Sequence, residues 1–511
     1  MNDVDLPASW ATAQIGDVTE VNPPGSTTVA AEDALVSFVP MAAVSELSGH
    51  IDLSTKKQFA QVKKGFTRFK NGDVLFAKIT PSMENGKIAV ARELEGGIGC
   101  GTTEFHVIRP ESGVEADYLR FYFVRSAFRQ EARKNMQGAV GQQRVPADFI
   151  REAQIPLAPT GEQARIVSRI EELFSRIDEG ERALQRVQKL VERYRQSVLK
   201  AAITGELTRE WREKHKGRLE SGEALLQRIL KARREAWEKA ELAKMEAKGV
   251  QPANDKWKDQ YEEPSSPDTT YQIHLPNTWL WSSLGQLFQV SVGSTPSRKS
   301  GEYWNGTIPW VSSGEVAFCR INKTEEAITE LGYENSSVRL HPKGTVLLAM
   351  IGEGKTRGQA AILDIDACHN QNAAAIGVPA TPIPPEYVYR FLEYHYESVR
   401  GISQGGNQPA LNSELVRRIS IPLPPLAEIA EICSLVERQL GAIAHIADDL
   451  EKQRQRIKAQ RQSVLREAFK GALVPQDAKE EPASLLVERI TAARRLGDAT
   501  LTGRRKRKVA T

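Results

Sequence analysis

Aliphatic residues recur every seven positions along two stretches of the chain. The first row is Ile170, Ile177, Leu184, Val191 and Val198; the second is Val436, Ile443, Leu450, Ile457 and Val464. Each residue of the second row lies 266 positions after its mate. A companion row holds Ile166, Leu173, Gly180, Val187 and Tyr194, then Ile432, Gln439, Ile446, Gln453 and Gln460. A seam sustained over more than four heptads predicts two long helices packed as a coiled coil. Pro159 and the N-cap candidate Thr160 open the first, with Glu162 in its first turn; Pro424-Pro425 opens the second. Gly205 and Gly471 read as C-terminal stops. Some 40 helical residues at about 1.5 Å each make a rod of about 60 Å. Two such rods, packed antiparallel, would hold two globular units apart.

The rest of the pattern is strand-like, bounded by turn residues. The expected strands are residues 36–40, 73–79, 87–91 and 105–109, then 308–311, 345–351 and 359–363. Helical tracts are expected over 117–135 and 385–399. Shared strings show that one plan is used twice. Ile155-Pro156-Leu157 returns as Ile421-Pro422-Leu423, and Arg195-Gln196-Ser197-Val198-Leu199 as Arg461-Gln462-Ser463-Val464-Leu465, both 266 apart. Leu6-Pro7 and Trp10 return as Leu275-Pro276 and Trp279, and Arg228-Ile229 with Arg233-Arg234 as Arg489-Ile490 with Arg494-Arg495. The fold class is therefore α+β: two β-rich domains held apart by two long antiparallel helices, with an internal pseudo-twofold repeat. The expected boundaries are 1–150 for the first β-rich domain and 151–208 for the central helix. A charged helical connector and linker follows over 209–269. The second domain spans 270–415 and the second helix 416–474, with a charged, partly disordered basic tail over 475–511.

Composition changes this picture little. In 511 residues, 40% are hydrophobic and 26% charged, and the net charge is +4. No apolar run reaches the length of a membrane helix, and the N-terminus reads as no secretory signal. Four single cysteines, Cys100, Cys319, Cys368 and Cys433, form no metal or disulfide framework, which fits a reducing cytoplasm. Charge distribution says more. Residues 56–87 hold eight basic side chains against two acidic ones, with Phe59, Phe66, Phe69 and Phe76 interleaved, a pattern that suits a phosphate backbone. Two motifs are set aside. Ala349 to Thr356 fits a loose phosphate-binding loop, but a strand-like run follows it where a helix would be needed. Asn22-Pro23-Pro24-Gly25 lacks the aromatic residue of the amino-methyltransferase motif. No catalytic constellation and no metal cluster is found, so catalytic and metal-ligating residues are expected to be none.

The chain resembles the specificity subunit of type I restriction–modification systems over essentially its whole length. The resemblance rests on the duplicated plan and on local strings. They include NGDVLFAKITPSMENGKIAVA, GTTEFHVIRP, IPLAPTGEQARIVSRIEELFSRID and RQSVLKAAITGELT with its copy RQSVLREAFKGALV. It implies a non-catalytic DNA-recognition subunit with two target recognition domains, each reading one part of a split, asymmetric site in double-stranded DNA. It implies helices that set the spacer and dock two modification (methyltransferase) subunits, joined by restriction (translocase and nuclease) subunits. It implies no cofactor in this chain, with S-adenosylmethionine, ATP and Mg on the partners, and no membrane. Polar residues on loops after the central strands are the candidate DNA contacts. In the first half they are Lys78, Thr80, Asn85, Lys87, Thr102, Thr103, Glu104, Gln142 and Arg144. In the second they are Lys355, Arg357, Gln359, Asn370, Gln371, Asn372, Gln404, Asn407 and Gln408. Tyr303 and Trp304 either pack against the DNA backbone or close a hairpin, with packing preferred. The alternative to a subunit is a stand-alone bipartite DNA-binding regulator.

Overall fold

The computed structural model describes residues 6–139, 141–252, 254–268, 273–352, 354–401 and 411–508. The chain forms two units. One combines Met1–Arg186 with Leu450–Thr511; the other is the continuous stretch Val187–Asp449. Each long helix contributes residues to both. The first runs Thr160–Ile203 over 44 residues, the second Leu426–Ala468 over 43. Both stop as expected. Gly205 and Gly471 adopt φ of +77° and +75°, a left-handed conformation that a side chain would resist. A Cβ at either would also collide with a proline, Pro276 beside Gly205 and Pro7 beside Gly471.

None of the ten residues of the first heptad row is exposed. In the first unit Ile170 shares an apolar cluster with Leu465 and Phe469, and Gly180 lies opposite Ile457. Ascending positions on one helix thus meet descending positions on the other, so the two are antiparallel there. Arg461 reinforces the seam, pairing with Asp178 and lying 5.3 Å above the Phe174 ring. In the second unit Val198, Val436 and Ile443 belong to one cluster. The companion row departs from the expected two-row seam: Val187, Tyr194 and Ile446 are exposed. Gln453 and Gln460 are exposed as well. The first row is the more continuous: the companion row is buried at the helix starts, at Ile166 and Ile432, and gives out farther along, where glutamines interrupt its second copy.

Strands appear where the alternation placed them, to within a few residues at each end. In the first unit Thr19–Val21, Phe105–Pro110, Val74–Ala77 and Ile88–Val90 lie side by side in that order. A second four-stranded sheet holds Lys56–Gln58, Leu35–Val39, Ile98–Gly101 and Thr67–Lys70. The other unit has a five-stranded sheet: Val290–Val292, Ala373–Ile376, Val346–Ala349, Ala360–Leu363 and Cys319–Ile321. Its three-stranded sheet is Glu326–Ile328, Trp304–Val311 and Cys368–His369. The expected helical tracts each break once, at Arg125 and at His395.

The repeat reaches individual hydrogen bonds. Ala11 pairs with Leu157 in one two-stranded ribbon, and Leu280 with Leu423 in the other. Tyr118 donates to the Pro156 carbonyl at 2.6 Å, and Tyr387 to the Pro422 carbonyl at 2.7 Å. A further helix follows each long one, Gly222–Ala247 and Ala483–Lys508. The second of these lies within the stretch expected as a charged basic tail. Ala483, Leu486 and Ile490 are buried, and that apolar face outweighs the surrounding charge. Each helix also closes a short one. Arg233 donates to the carbonyls of Gly285, Gln286 and Phe288, and Arg494 to that of Gly16 and to the Glu111 carboxylate. The C-terminal carbonyls of a helix attract such a cation.

A buried glutamate near the start of each long helix differs between the units. Glu428 accepts from Trp279 Nε1 at 2.9 Å, Thr208 Oγ1 at 2.7 Å and the Arg212 guanidinium at 2.5 Å. Glu162 accepts from Gln476 Nε2 at 2.7 Å, while its Oε2 and the indole nitrogen of Trp10 are buried with no hydrogen-bond partner. Burial raises the Glu162 pKa, partly opposed by the nearby Trp10 and Gln476 side chains. Among the described residues no helix is long and apolar enough to cross a membrane.

Candidate nucleic-acid interface

In both units an inner strand, Val74–Ala77 in one and Val346–Ala349 in the other, ends in the same backbone clamp. In the first unit Lys78 N–H donates to the Glu104 carbonyl, and Val145 N–H to the Lys78 carbonyl, each at 2.9 Å. In the second, Met350 N–H donates to the Asn372 carbonyl at 2.8 Å, and Leu411 N–H to the Met350 carbonyl at 3.0 Å. The frame is shared and the side chains are not. Lys78 corresponds to the buried Met350, and Glu104 to Asn372.

Six of the residues expected in the first half gather at this clamp. Glu104 and Arg144 form a bidentate pair, Nε to Oε2 at 2.9 Å and one terminal nitrogen to Oε1 at 2.8 Å. Arg144 holds the Glu104 carboxyl below its usual range, with Lys78 adding to the effect, and Glu104 in turn raises the Arg144 pKa. The Arg144 backbone is fixed by Gln137 through two hydrogen bonds. Thr80 N–H donates to the Gln143 carbonyl at 3.0 Å, and Arg144 itself donates to the Gln142 carbonyl at 2.9 Å. Thr102 accepts from Glu104 N–H at 3.2 Å. Two other expected residues make links within the unit. Asn85 donates to the Glu46 carboxylate at 2.7 Å and Lys87 to the Met41 carbonyl at 3.1 Å.

Thr103, the remaining residue of the first half, is exposed at the mouth of a cleft of about 280 Å³. Asn22, Phe66, Arg68 and Lys78 also line it. Asn22, Phe66 and Arg68 are not among the expected contacts. Asn22 has φ of +56°, accepts from Val107 N–H at 3.0 Å and hydrogen-bonds His106 at 3.0 Å. That gives the Asn-Pro-Pro-Gly string a structural role. Of the interleaved phenylalanines, Phe59, Phe69 and Phe76 are core residues, and Phe66 is exposed. The basic run is partly neutralised: Lys56 pairs with Glu95 and Lys63 with Glu32.

In the second unit Lys355, Arg357 and Gln359 lie on the connection between the antiparallel strands Val346–Ala349 and Ala360–Leu363. Gly354-Lys355-Thr356 thus sits in a β-hairpin, with no helix to supply a phosphate cradle. Lys355 is exposed. Asn370 accepts from Asn372 N–H at 3.1 Å, and Gln371 accepts from the Thr295 hydroxyl at 2.5 Å. Gln404, Asn407 and Gln408 lie outside the described residues. Trp304 packs edge-on against Trp310 at 5.1 Å, with the Arg298 guanidinium 3.7 Å above it. Among the described residues no cluster of three or more His, Cys, Asp or Glu could hold a metal.

Two β-rich units on one plan, each ending an inner strand in the same backbone clamp with different side chains, define a duplicated α+β protein. The chain belongs to the type I restriction modification DNA specificity domain family, whose model matches it twice, over residues 7–188 and 276–466. It is 33% identical over 321 residues to the type I restriction enzyme EcoAI specificity subunit of Escherichia coli, covering 57% of this chain and 52% of that relative. The EcoEI specificity subunit of Escherichia coli is 35% identical over 213 residues, 40% of this chain and 35% of that relative. The chain therefore spans about half or less of these two curated relatives. Two solved structures share the fold. One, described as the structural basis of complex assembly and conformational transition of the type I R-M system, has a TM-score of 0.66 at 19% identity, covering 92% of this chain and all of its own. The HsdS subunit from Thermoanaerobacter tengcongensis has a TM-score of 0.54 at 18% identity, covering 92% of this chain and 99% of its own.

Proposed function

We propose that the chain is the non-catalytic DNA-recognition subunit of a type I restriction–modification assembly. Each unit reads one part of a split, asymmetric site in double-stranded DNA. The two long helices set the gap between the parts and dock two modification subunits. Those partners carry S-adenosylmethionine and methylate adenine. Restriction subunits add ATP- and Mg-dependent translocation and cleavage. The observation that carries this reading is the double match to one DNA specificity model on two units whose clamps bear different side chains. Unlike side chains on a common frame are what two unlike half-sites require.

The test is to express the chain with its neighbouring modification subunit in a bacterium and map adenine methylation across the genome. Two short, unlike half-sites with a fixed gap are expected. A heptad deleted from both helices should change the gap and leave the half-sites unchanged. Sequence-specific DNA binding without any methylation would favour the stand-alone regulator.

A further inference from the structure

The chemistry of the first clamp is more specific than DNA contact in general, provided that the chain is a DNA-recognition subunit. A guanidinium has five N–H groups. Glu104 takes two of those of Arg144, and the Gln142 carbonyl takes a third. One N–H on each terminal nitrogen remains, and the side chain is 42% exposed. A pair of fixed donors on a rigid fork matches the two acceptors, O6 and N7, that guanine shows in the major groove. The fork is held in advance. Arg144 is bonded to Gln137 through both backbone groups, and its neighbour Val145 is bonded to Lys78. The Val145 carbonyl is in turn bonded to buried His106 at 2.8 Å. The sequence differs at the corresponding places of the second unit. Asn372 stands where Glu104 does, and the residue before Leu411 is Ala410.

We infer that Arg144 reads a guanine in the half-site of the first unit, and that Glu104 is its positioning residue. Glu104, whose ionised carboxylate can only accept, aims the fork and touches no base. Lys78, beside the pair and on the same clamp, supplies positive charge toward the backbone phosphates. The second unit reads its half-site without an arginine fork at this place.

The test compares methylation maps of the wild-type complex with Arg144→Ala, Arg144→Lys and Glu104→Gln. Each variant is purified with the modification subunit, and its melting temperature is checked. The expected wild-type map has a guanine in one half-site. Arg144→Ala should lower the preference for that guanine about 10- to 100-fold, leaving the other half-site and the gap unchanged. Arg144→Lys should relax the same position, because it keeps the charge and loses the fork. Glu104→Gln should relax it partially with no shift elsewhere, which a merely structural residue would not do. Three results overturn the inference while leaving the DNA-recognition reading intact. They are a variable half-site with no guanine on either strand, an unchanged map in Arg144→Ala, or a uniform loss of binding with a shallower salt dependence. The last would make Arg144 a phosphate contact. A wild-type map with no split motif overturns the underlying reading, and the guanine assignment with it. Should Arg144→Ala fail to fold, the Lys and Gln variants decide between the same outcomes.

Discussion

Glu162 and Glu428 occupy equivalent places, 266 residues apart, in the first turn of their helices. Only Glu428 pairs directly with a cation; near Glu162, Arg165 acts at longer range and is paired with Glu480. Arg212, Thr208 and Trp279 satisfy Glu428; Glu162 has a full hydrogen bond from Gln476, and the Trp10 indole lies near it without normal hydrogen-bond geometry. A duplicated fold can thus keep a charge in both copies and compensate it fully in one. A buried carboxylate without its partner is costly, while a paired one is costly to break. The two units should therefore answer the same substitution in opposite ways.

The largest effect is expected from breaking the satisfied copy. Glu428→Ala leaves the Trp279 indole without an acceptor and Arg212 without its counter-charge, with only the Gly205 carbonyl remaining to it, and should destabilise the second unit by about 3–5 kcal/mol. Urea unfolding followed by tryptophan fluorescence would measure it, and a loss below about 1 kcal/mol would mean that the ion pair contributes little. A smaller effect tests whether symmetry holds elsewhere. Arg233→Ala and Arg494→Ala each remove a guanidinium from a short helix's terminal carbonyls and should each cost about 2 kcal/mol. Similar losses would support equivalence. A much larger loss at Arg494 would trace to its added ion pair with Glu111.

The smallest effect has the opposite sign. Because the Glu162 pKa is raised on folding, the native state binds the proton more tightly than the unfolded chain does. The stabilisation linked to that proton is fully present below the unfolded pKa of about 4.3, and it is lost as pH rises through the folded value. Glu162→Gln should remove this dependence. At neutral pH it should raise the melting temperature of the first unit by a few degrees, on the order of 1 kcal/mol. Melting scans between pH 4 and 8, alongside Glu428→Gln, would sharpen the contrast; a lower melting temperature for Glu162→Gln at neutral pH would refute it.

Much of this was legible in the sequence because it is written in short periods. The heptad row, the strand alternation and the glycine stops are local signals, and the structure keeps them. The presence of Glu162 and Glu428 was visible in the repeat, but their different company was not. Arg212 and Gln476 follow the helices at positions the repeat does not match: 266 residues from Arg212 stands Ala478, and 266 before Gln476 stands Glu210. The Glu104–Arg144 pair joins residues 40 apart, which no periodicity reveals. Arg68 gives no loop signal because it sits within the strand Thr67–Lys70, whereas the expected contacts lie on loops. The C-terminal helix was obscured by its basic run, although Ile490 already matched Ile229 in the repeat.

The division of the chain between its units also sets an order in time. Val187–Asp449 is continuous, whereas Met1–Arg186 needs Leu450 and the residues beyond it to complete its core. At synthesis rates of roughly 5–20 residues per second, the earlier segment waits for tens of seconds, with Ile166, Ile170 and Tyr118 lacking the partners Leu465 and Phe469. The half that begins first on the ribosome is the half that closes last, and during that interval it is the more exposed to chaperones and proteases.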